Sequence, residues 1–105
     1  MRKTALITGA SRGIGRACAV AFANAGYDLH LNCIHSAQSL TFLAGELEAS
    51  YHISCRTHIG DIGDFAFAEK MFAQISHLDV LINNAGISHI GLLQDMTPEE
   101  WDRVM

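Results

Sequence analysis

Short apolar runs alternate along this chain with longer segments whose apolar residues follow a helical period. The runs predict strands at residues 3–8, 28–34, 54–58 and 80–83. The segments between them predict helices at residues 13–25, 39–50 and 64–75. Strict alternation of strand and helix is typical of the α/β class, in which right-handed crossovers make the strands parallel and cover both faces of the sheet with helices.

The apolar positions of the three predicted helices are interpreted as faces packed on the sheet. In order along the chain they are Ile14, Cys18, Val20, Ala21 and Phe22; Leu40, Leu43, Leu47 and Tyr51; and Phe65, Ala68, Met71, Phe72 and Ile75. Packing explains the aromatic residues among them, so a cofactor role for those rings is disfavoured. We expect a Rossmann-like, doubly wound sheet with the first strand between the second and the fourth.

Three glycines occupy the turn between the first strand and the first helix, in the run Thr8-Gly9-Ala10-Ser11-Arg12-Gly13-Ile14-Gly15. Gly9 allows a sharp exit from the strand, Gly13 allows the backbone to approach a diphosphate, and Gly15 allows the helix to pack closely on the sheet. The free N–H groups of the helix N-terminus favour an anion there. A purely conformational use of the glycines remains the alternative.

The composition of the chain argues against a nucleic-acid-binding or membrane protein. The 105 residues suit one small domain, and 50% hydrophobic with 17% charged residues argues for a globular fold. A net charge of −4 provides no basic field for nucleic acid or an anionic membrane surface. The apolar run after Arg2 and Lys3 is too short for a signal peptide, and no membrane span is expected. A cytoplasmic location is predicted.

The cysteines and histidines indicate neither a disulfide framework nor a metal site. The three cysteines, Cys18, Cys33 and Cys55, lack a Cys-x-x-Cys spacing and are interpreted as reduced thiols in the core. None of the six histidines forms a helical i, i+4 pair. No bound metal is therefore predicted.

Two motifs resemble the short-chain dehydrogenase/reductase family. One is the Gly-x-x-x-Gly-x-Gly spacing after Thr8, and the other is Asn83-Asn84-Ala85-Gly86 directly after an apolar strand. The segment Thr97-Pro98-Glu99-Glu100-Trp101 also resembles the start of the fourth helix in the 3-oxoacyl-thioester reductases of that family. The resemblance extends over residues 3–105.

This resemblance implies a nicotinamide dinucleotide site. The residues that it predicts to bind the cofactor are Gly9, Ser11, Arg12, Gly13, Ile14, Gly15, Cys33, His35, Ser36, Asp61, Ile62, Asn83, Asn84, Ala85 and Gly86. Asp61 and Ile62 match the family's residues at the adenine, although Asp61 could simply belong to a turn or a helix cap. Asn84, Ala85 and Gly86 match residues near the ribose, whereas a structural role is favoured for Asn83.

Charge at the predicted site favours NADP(H) over NAD(H). The second strand ends in Cys33-Ile34-His35-Ser36, without the acid that accepts hydrogen bonds from the ribose 2′-hydroxyl in NAD binders. Arg12 matches the basic position that faces the 2′-phosphate in NADPH-preferring relatives, where a guanidinium can bind bidentately. The alternative for Arg12 is a solvated surface arginine.

No residue of this chain matches the catalytic motif that the resemblance implies. The family transfers hydride between a nicotinamide and a carbonyl or alcohol with a Tyr-x-x-x-Lys pair, a Ser and an Asn. Tyr27 and Tyr51 are followed four residues later by Leu31 and Cys55. We therefore expect residues 1–105 to be an NAD(P)-binding Rossmann half-domain, truncated at the start of the fourth helix and inactive alone.

The leading hypothesis is the cofactor-binding part of an NADP(H)-dependent short-chain oxidoreductase, with a 3-oxoacyl thioester as one candidate substrate. The alternative is a noncatalytic nucleotide-binding or self-associating fragment. A third class, methyltransferases that use S-adenosylmethionine, fits Arg12 and residues 83–86 less well. A Ser88-His89 nucleophile pair is disfavoured because no nucleophile elbow surrounds it. We expect a homo-oligomer, since the strand at residues 80–83 would present an apolar edge.

Overall fold

A computed structural model describes residues 2–11 and 13–83 of the chain. Within these residues strands and helices alternate without exception. Their bounds are β1 (Thr4–Ile7), α1 (Gly13–Asn24), β2 (Asp28–Cys33), α2 (Ala37–Tyr51), β3 (Cys55–Ile59), α3 (Phe65–Ala73) and β4 (Val80–Ile82). Each predicted element is present, with ends that differ from the prediction by a few residues.

The four strands form one parallel sheet in the order β3-β2-β1-β4. Ala5 of β1 is in register with Leu29 of β2 on one side and with Val80 of β4 on the other. The chain therefore returns from the β3 edge across β1 before it forms β4. This arrangement confirms the predicted Rossmann-like fold and the central position of the first strand.

Hydrophobic side chains pack on both faces of the sheet. Ala5 and Ile7 of β1 belong to the larger core, with α1 and α2, whereas Leu6 between them belongs to the smaller core with α3. The smaller core consists of Leu6, Ala68, Met71, Ile75 and Leu81. The predicted apolar faces of α2 and α3 are confirmed, because Leu40, Leu43, Leu47, Ala68 and Met71 are buried.

The prediction for the buried face of α1 was partly wrong. Ile14 is 77% exposed and Val20 is 37% exposed, and Ala21 is exposed as well. The buried residues are Gly15, Ala19 and Ala23, which recur every fourth position. Small residues at this spacing let the helix axis approach the sheet closely, so the larger side chains are displaced to the flanks and to solvent.

The structure also bears on the predicted reduced thiols, on metal binding and on membrane-spanning helices. The three cysteines are free, and burial together with nearby Glu48 raises the pKa of the Cys55 thiol to about 12. Among residues 2–11 and 13–83, no three metal-binding side chains of His, Cys, Asp or Glu come together. The helices of this part of the chain are too short or too polar to cross a membrane.

Candidate functional site

A cavity of about 560 Å³ opens at the carboxyl ends of β1 and β2. This is the edge at which ligands bind in doubly wound sheets, where the strand order reverses. The cavity is lined by Thr8, Gly9, Ser11, Gly13, Ile14, Asn32, Cys33, Ile34, His35, Ser36 and Ile62. Eight of the residues predicted to bind the cofactor are thereby brought together, and a ninth, Gly15, is buried in the first turn of α1.

The glycine turn forms one wall of the cavity. Gly9 and Gly13 both have left-handed backbone conformations, with φ of 60° and 62°. A side chain at either position would be strained, which is the conformational reason for glycine there. The turn is anchored on both sides, because Thr8 N donates to Ile82 O and Ala10 N donates to Asn32 O, each at 3.0 Å.

The end of β2 forms the opposite wall. Cys33 is buried, His35 is exposed and Ser36 is half-buried at the start of α2. No carboxylate is among the described residues that line the cavity. The wall therefore lacks the acid that would bind a ribose 2′-hydroxyl and repel a 2′-phosphate.

The loop between β3 and α3 brings Ile62 to the cavity, while Asp61 is used within the loop. Asp61 Oδ1 accepts a hydrogen bond from Gly63 N at 2.8 Å, and Asp61 O accepts one from Asp64 N at 3.0 Å. This is the turn arrangement that the sequence left as the alternative for Asp61. An adenine contact by Asp61 stays a prediction.

Asn83 lies where β4 ends, beside the end of β1. It is buried, and its Oδ1 accepts a hydrogen bond from Thr8 Oγ1 at 3.2 Å. This bond joins the ends of two neighbouring strands, which agrees with the structural role favoured for Asn83. Predictions for Arg12, Asn84, Ala85, Gly86 and the fourth helix fall outside the described residues.

Sequence reasoning missed three residues that line the cavity: Thr8, Asn32 and Ile34. Thr8 and Ile34 directly follow predicted or observed strand ends, so their position at the carboxyl edge was a usable signal. Asn32 is only 1% exposed inside β2. Its polar side chain in a buried strand was the signal, since buried amides are almost always hydrogen-bonded to something specific.

Comparison with known protein families agrees with this geometry. A family model described as "short chain dehydrogenase" matches residues 3–105. The 3-oxoacyl-[acyl-carrier-protein] reductase FabG of Staphylococcus aureus is 37% identical over 108 residues, covering 100% of this chain and 44% of that protein. Versicolorin reductase 1 of Aspergillus parasiticus is 38% identical over 106 residues, covering 97% and 40%.

Solved structures show the same likeness. An alcohol dehydrogenase from the archaeon Thermococcus sibiricus, complexed with 5-hydroxy-NADP, superposes with a TM-score of 0.72 at 35% identity, covering 95% of this chain and 44% of that one. A short-chain dehydrogenase from Sphingobium yanoikuyae in complex with NADPH gives 0.70 at 34% identity, covering 92% and 39%. The chain spans less than half the length of these relatives. By fold, by glycine turn and by sequence match, it belongs to the short-chain dehydrogenase/reductase family, close to the 3-oxoacyl-[acyl-carrier-protein] reductases.

Proposed function

We propose that this chain carries the NADP(H) site of an oxidoreductase that transfers hydride between the nicotinamide and a carbonyl or alcohol. The observation that carries the proposal is the cavity at the carboxyl ends of β1 and β2. Its walls are the glycine turn and the end of β2, whose residues 33–36 include no acidic side chain. When bound, the cofactor supplies the hydride or accepts it. The residues of this chain bind and orient it.

The diphosphate is assigned to the glycine turn and the N-terminus of α1. Gly9, Ser11 and Gly13 line the cavity at this point, with Ile14 at the first turn of the helix. The unpaired backbone N–H groups of the first helical turn point along the helix axis toward an anion. Ile14 is 77% exposed, and a bound dinucleotide would cover it.

The ribose 2′-phosphate is assigned to the end of β2 together with Arg12. His35 and Ser36 supply an imidazole and a hydroxyl at the cavity wall, and no carboxylate among the described lining residues would repel a dianion. Arg12 directly precedes Gly13 in the sequence and provides the guanidinium. The complexes of structural neighbours with NADPH and 5-hydroxy-NADP support this choice.

The adenine and the remaining ribose are assigned to the β3–α3 loop and to residues 84–86. Ile62 lines the cavity and offers an apolar surface for the ring, and Asp61 lies beside it. In the sequence Asn84, Ala85 and Gly86 follow β4, which pairs with β1 on the side opposite β2.

The chemical step of the whole protein belongs to the proposal as well. Tyr27 and Tyr51 pack against the core of α1 and α2, and neither lines the cavity. Tyr27 contacts the ring of Phe22, with centroids 4.9 Å apart. Neither phenol is therefore assigned to proton transfer. A 3-oxoacyl thioester is the proposed substrate because 3-oxoacyl-[acyl-carrier-protein] reductases are among the relatives. The homo-oligomer and the cytoplasmic location stay predictions from the sequence.

Arg12→Ala tests the cofactor assignment. Loss of a charged hydrogen-bonding group to the 2′-phosphate is expected to weaken NADPH binding by roughly 10-fold to 100-fold. Binding of NADH, which has no 2′-phosphate, should change by less than about twofold. The dissociation constants of both cofactors are measured by fluorescence titration of the full-length protein.

Arg16→Ala is the matched control, since Arg16 is exposed on α1 and does not line the cavity. It should leave both dissociation constants unchanged. Equal losses for NADPH and NADH in Arg12→Ala would refute the role of Arg12. Failure of the unaltered protein to bind either cofactor would overturn the proposed function. Cofactor binding without reduction of any carbonyl compound would favour the noncatalytic alternative.

A further inference from the structure

One buried residue of β2, Asn32, is hydrogen-bonded both to the glycine turn and to the end of β3. Asn32 is 1% exposed, and its Nδ2 donates to His58 O at 2.9 Å and to Gly60 O at 3.1 Å. Its own backbone carbonyl accepts a hydrogen bond from Ala10 N in the glycine turn at 3.0 Å. The same residue therefore binds the glycine turn through its main chain and the end of β3 through its side chain.

The orientation of this amide follows from its partners. Both acceptors are backbone carbonyls, which can only receive hydrogen bonds, so the NH2 group and not the amide oxygen must face them. The two hydrogens of Nδ2 are thereby used. A side chain without two donors loses at least one of these hydrogen bonds, in a region where water has little access.

The contact with Gly60 reaches beyond the last residue of β3, Ile59. Gly60 N also donates to Cys33 O at 2.9 Å, so the residue is held to β2 in both directions. On its other side lies the ring of Phe67, into which a Cβ at Gly60 would collide. Gly60 is thus confined between β2 and α3.

The loop after Gly60 contains two hydrogen bonds of its own, and Ile62 within it packs against the smaller core. Asp61 accepts from Gly63 N and from Asp64 N, which fixes the shape of the loop but not its distance from the glycine turn. The hydrogen bonds at Gly60 contribute to that distance, because they fix the start of the loop on β2. Ile62, carried by this loop, lines the cavity together with Asn32.

We propose that Asn32 is a positioning residue, which holds the loop of residues 60–63 at the distance from the glycine turn that the adenosine part of the cofactor requires. This inference rests on the proposed function. Asn32 acts through Gly60 and Ile62 rather than by contact with the reacting atoms. It sets affinity at the adenosine end and leaves hydride transfer unaffected.

Asn32→Leu tests the inference, because leucine has a similar volume and no donors. The dissociation constant of adenosine 2′,5′-bisphosphate, measured by calorimetry on the full-length protein, should rise by roughly tenfold or more. The KM for NADPH should rise in parallel while kcat stays within about twofold. In the protein without ligand, hydrogen exchange at the amides of Gly63 and Asp64 should become faster.

His30→Leu is the matched control. His30 is also on β2, and its ring contacts the His58 ring, but it makes no bond to the loop and does not line the cavity. It should alter stability without changing affinity for adenosine 2′,5′-bisphosphate by more than about twofold at equal fraction folded. Asn32→Ser, which is smaller and retains one donor, provides a second variant should Asn32→Leu fail to fold, and the same selective loss is expected.

Three results would count against the inference. Unchanged affinity for adenosine 2′,5′-bisphosphate in the Asn32 variants would overturn it while the proposed function stands. So would a loss no larger than that of His30→Leu, because a general effect on folding would then explain it. If the unaltered protein binds neither NADPH nor the bisphosphate, the proposed function and this inference fail together.

Discussion

At the scale of single residues, two imidazoles meet on the sheet face that carries α3. His30 Nδ1 and His58 Nε2 are 2.9 Å apart, and the rings are nearly parallel, with an interplanar angle of 24°. One nitrogen must donate and the other accept, so the pair requires at least one neutral ring. Burial, with His58 and Arg56 nearby, lowers the pKa of His30 to about 4, although Asp28 acts in the opposite direction. Burial and Arg56 also lower the pKa of His58.

Acid should therefore destabilise the fold through this pair. The pKa of histidine in the unfolded chain is about 6.5, so between about pH 6.5 and 4 the unfolded state binds more protons than the folded state. The free energy of unfolding should fall as the pH falls through that window, by about 1–2 kcal/mol between pH 7 and pH 5. Urea unfolding at several pH values measures this dependence.

The variant His30→Leu should reduce this pH dependence, because it removes one of the two histidines with a lowered pKa. The exposed histidine variant His35→Gln serves as the comparison and should retain the full dependence. If His30→Leu and the unaltered protein lose stability equally between pH 7 and pH 5, the histidine pair is not the cause.

Individual site residues differed in how far the sequence could predict them. Gly9 and Gly13 were predictable because a strand followed by a glycine turn and a helix requires left-handed backbone at those points. The partners of Asn32 were not, since His58 and Gly60 lie 26 and 28 residues later, in β3 and directly after it. A single sequence shows a polar residue in a strand but not the carbonyls it will meet.

At the scale of the element, α3 depends on the residue that begins it. Asp64 has extended backbone, and its carboxylate accepts from Ala66 N at 2.9 Å and from Phe67 N at 3.5 Å. It thus satisfies N–H groups that have no partner within the helix, and its negative charge favours the N-terminus of the helix. The cap holds α3 where Ala68 and Met71 reach the sheet.

Asp64→Ala should lower the free energy of unfolding by about 1 kcal/mol. Glu69→Ala removes the same kind of charge from an exposed position inside α3 and should change stability by less than about 0.5 kcal/mol. Denaturant unfolding of the two variants side by side measures the difference. Similar values for both would indicate that net charge, rather than capping, determines the effect.

Periodicity predicted which segments are helices better than it predicted which side of α1 is buried. The large residues Ile14 and Val20 suggested one face, whereas Gly15, Ala19 and Ala23 form the one that packs. Hydrophobicity alone ranks isoleucine above alanine, but close packing of a helix on a parallel sheet selects for small volume. The four-residue spacing of small side chains was the informative pattern.

At the scale of the whole molecule, the proposed cofactor would contact parts of the chain that are far apart in sequence. A ligand that binds only the folded state stabilises it by mass action, by about 2.7 kcal/mol at a free concentration of 100 times its dissociation constant. NADP+ should therefore raise the Tm of the full-length protein, and NAD+ at the same concentration should raise it less.

Thermal unfolding followed by circular dichroism measures both shifts. Adenosine 2′,5′-bisphosphate should reproduce part of the NADP+ effect, because it carries the phosphate that distinguishes the two cofactors. Equal shifts with NADP+ and NAD+ would contradict the predicted preference, and no shift with either would contradict cofactor binding itself.

The central position of β1 also determines the order in which the fold can be completed. β1 leaves the ribosome first, yet its neighbour β4 follows so much later that the bond from Thr8 to Asn83 spans 75 residues. Pairing over such a separation carries a large loop-closure entropy and slows folding. One of the two hydrogen-bonding edges of β1 therefore stays unpaired until β4 has been synthesised. During translation the glycine turn is present early but gains its support from Ile82 only when β4 arrives.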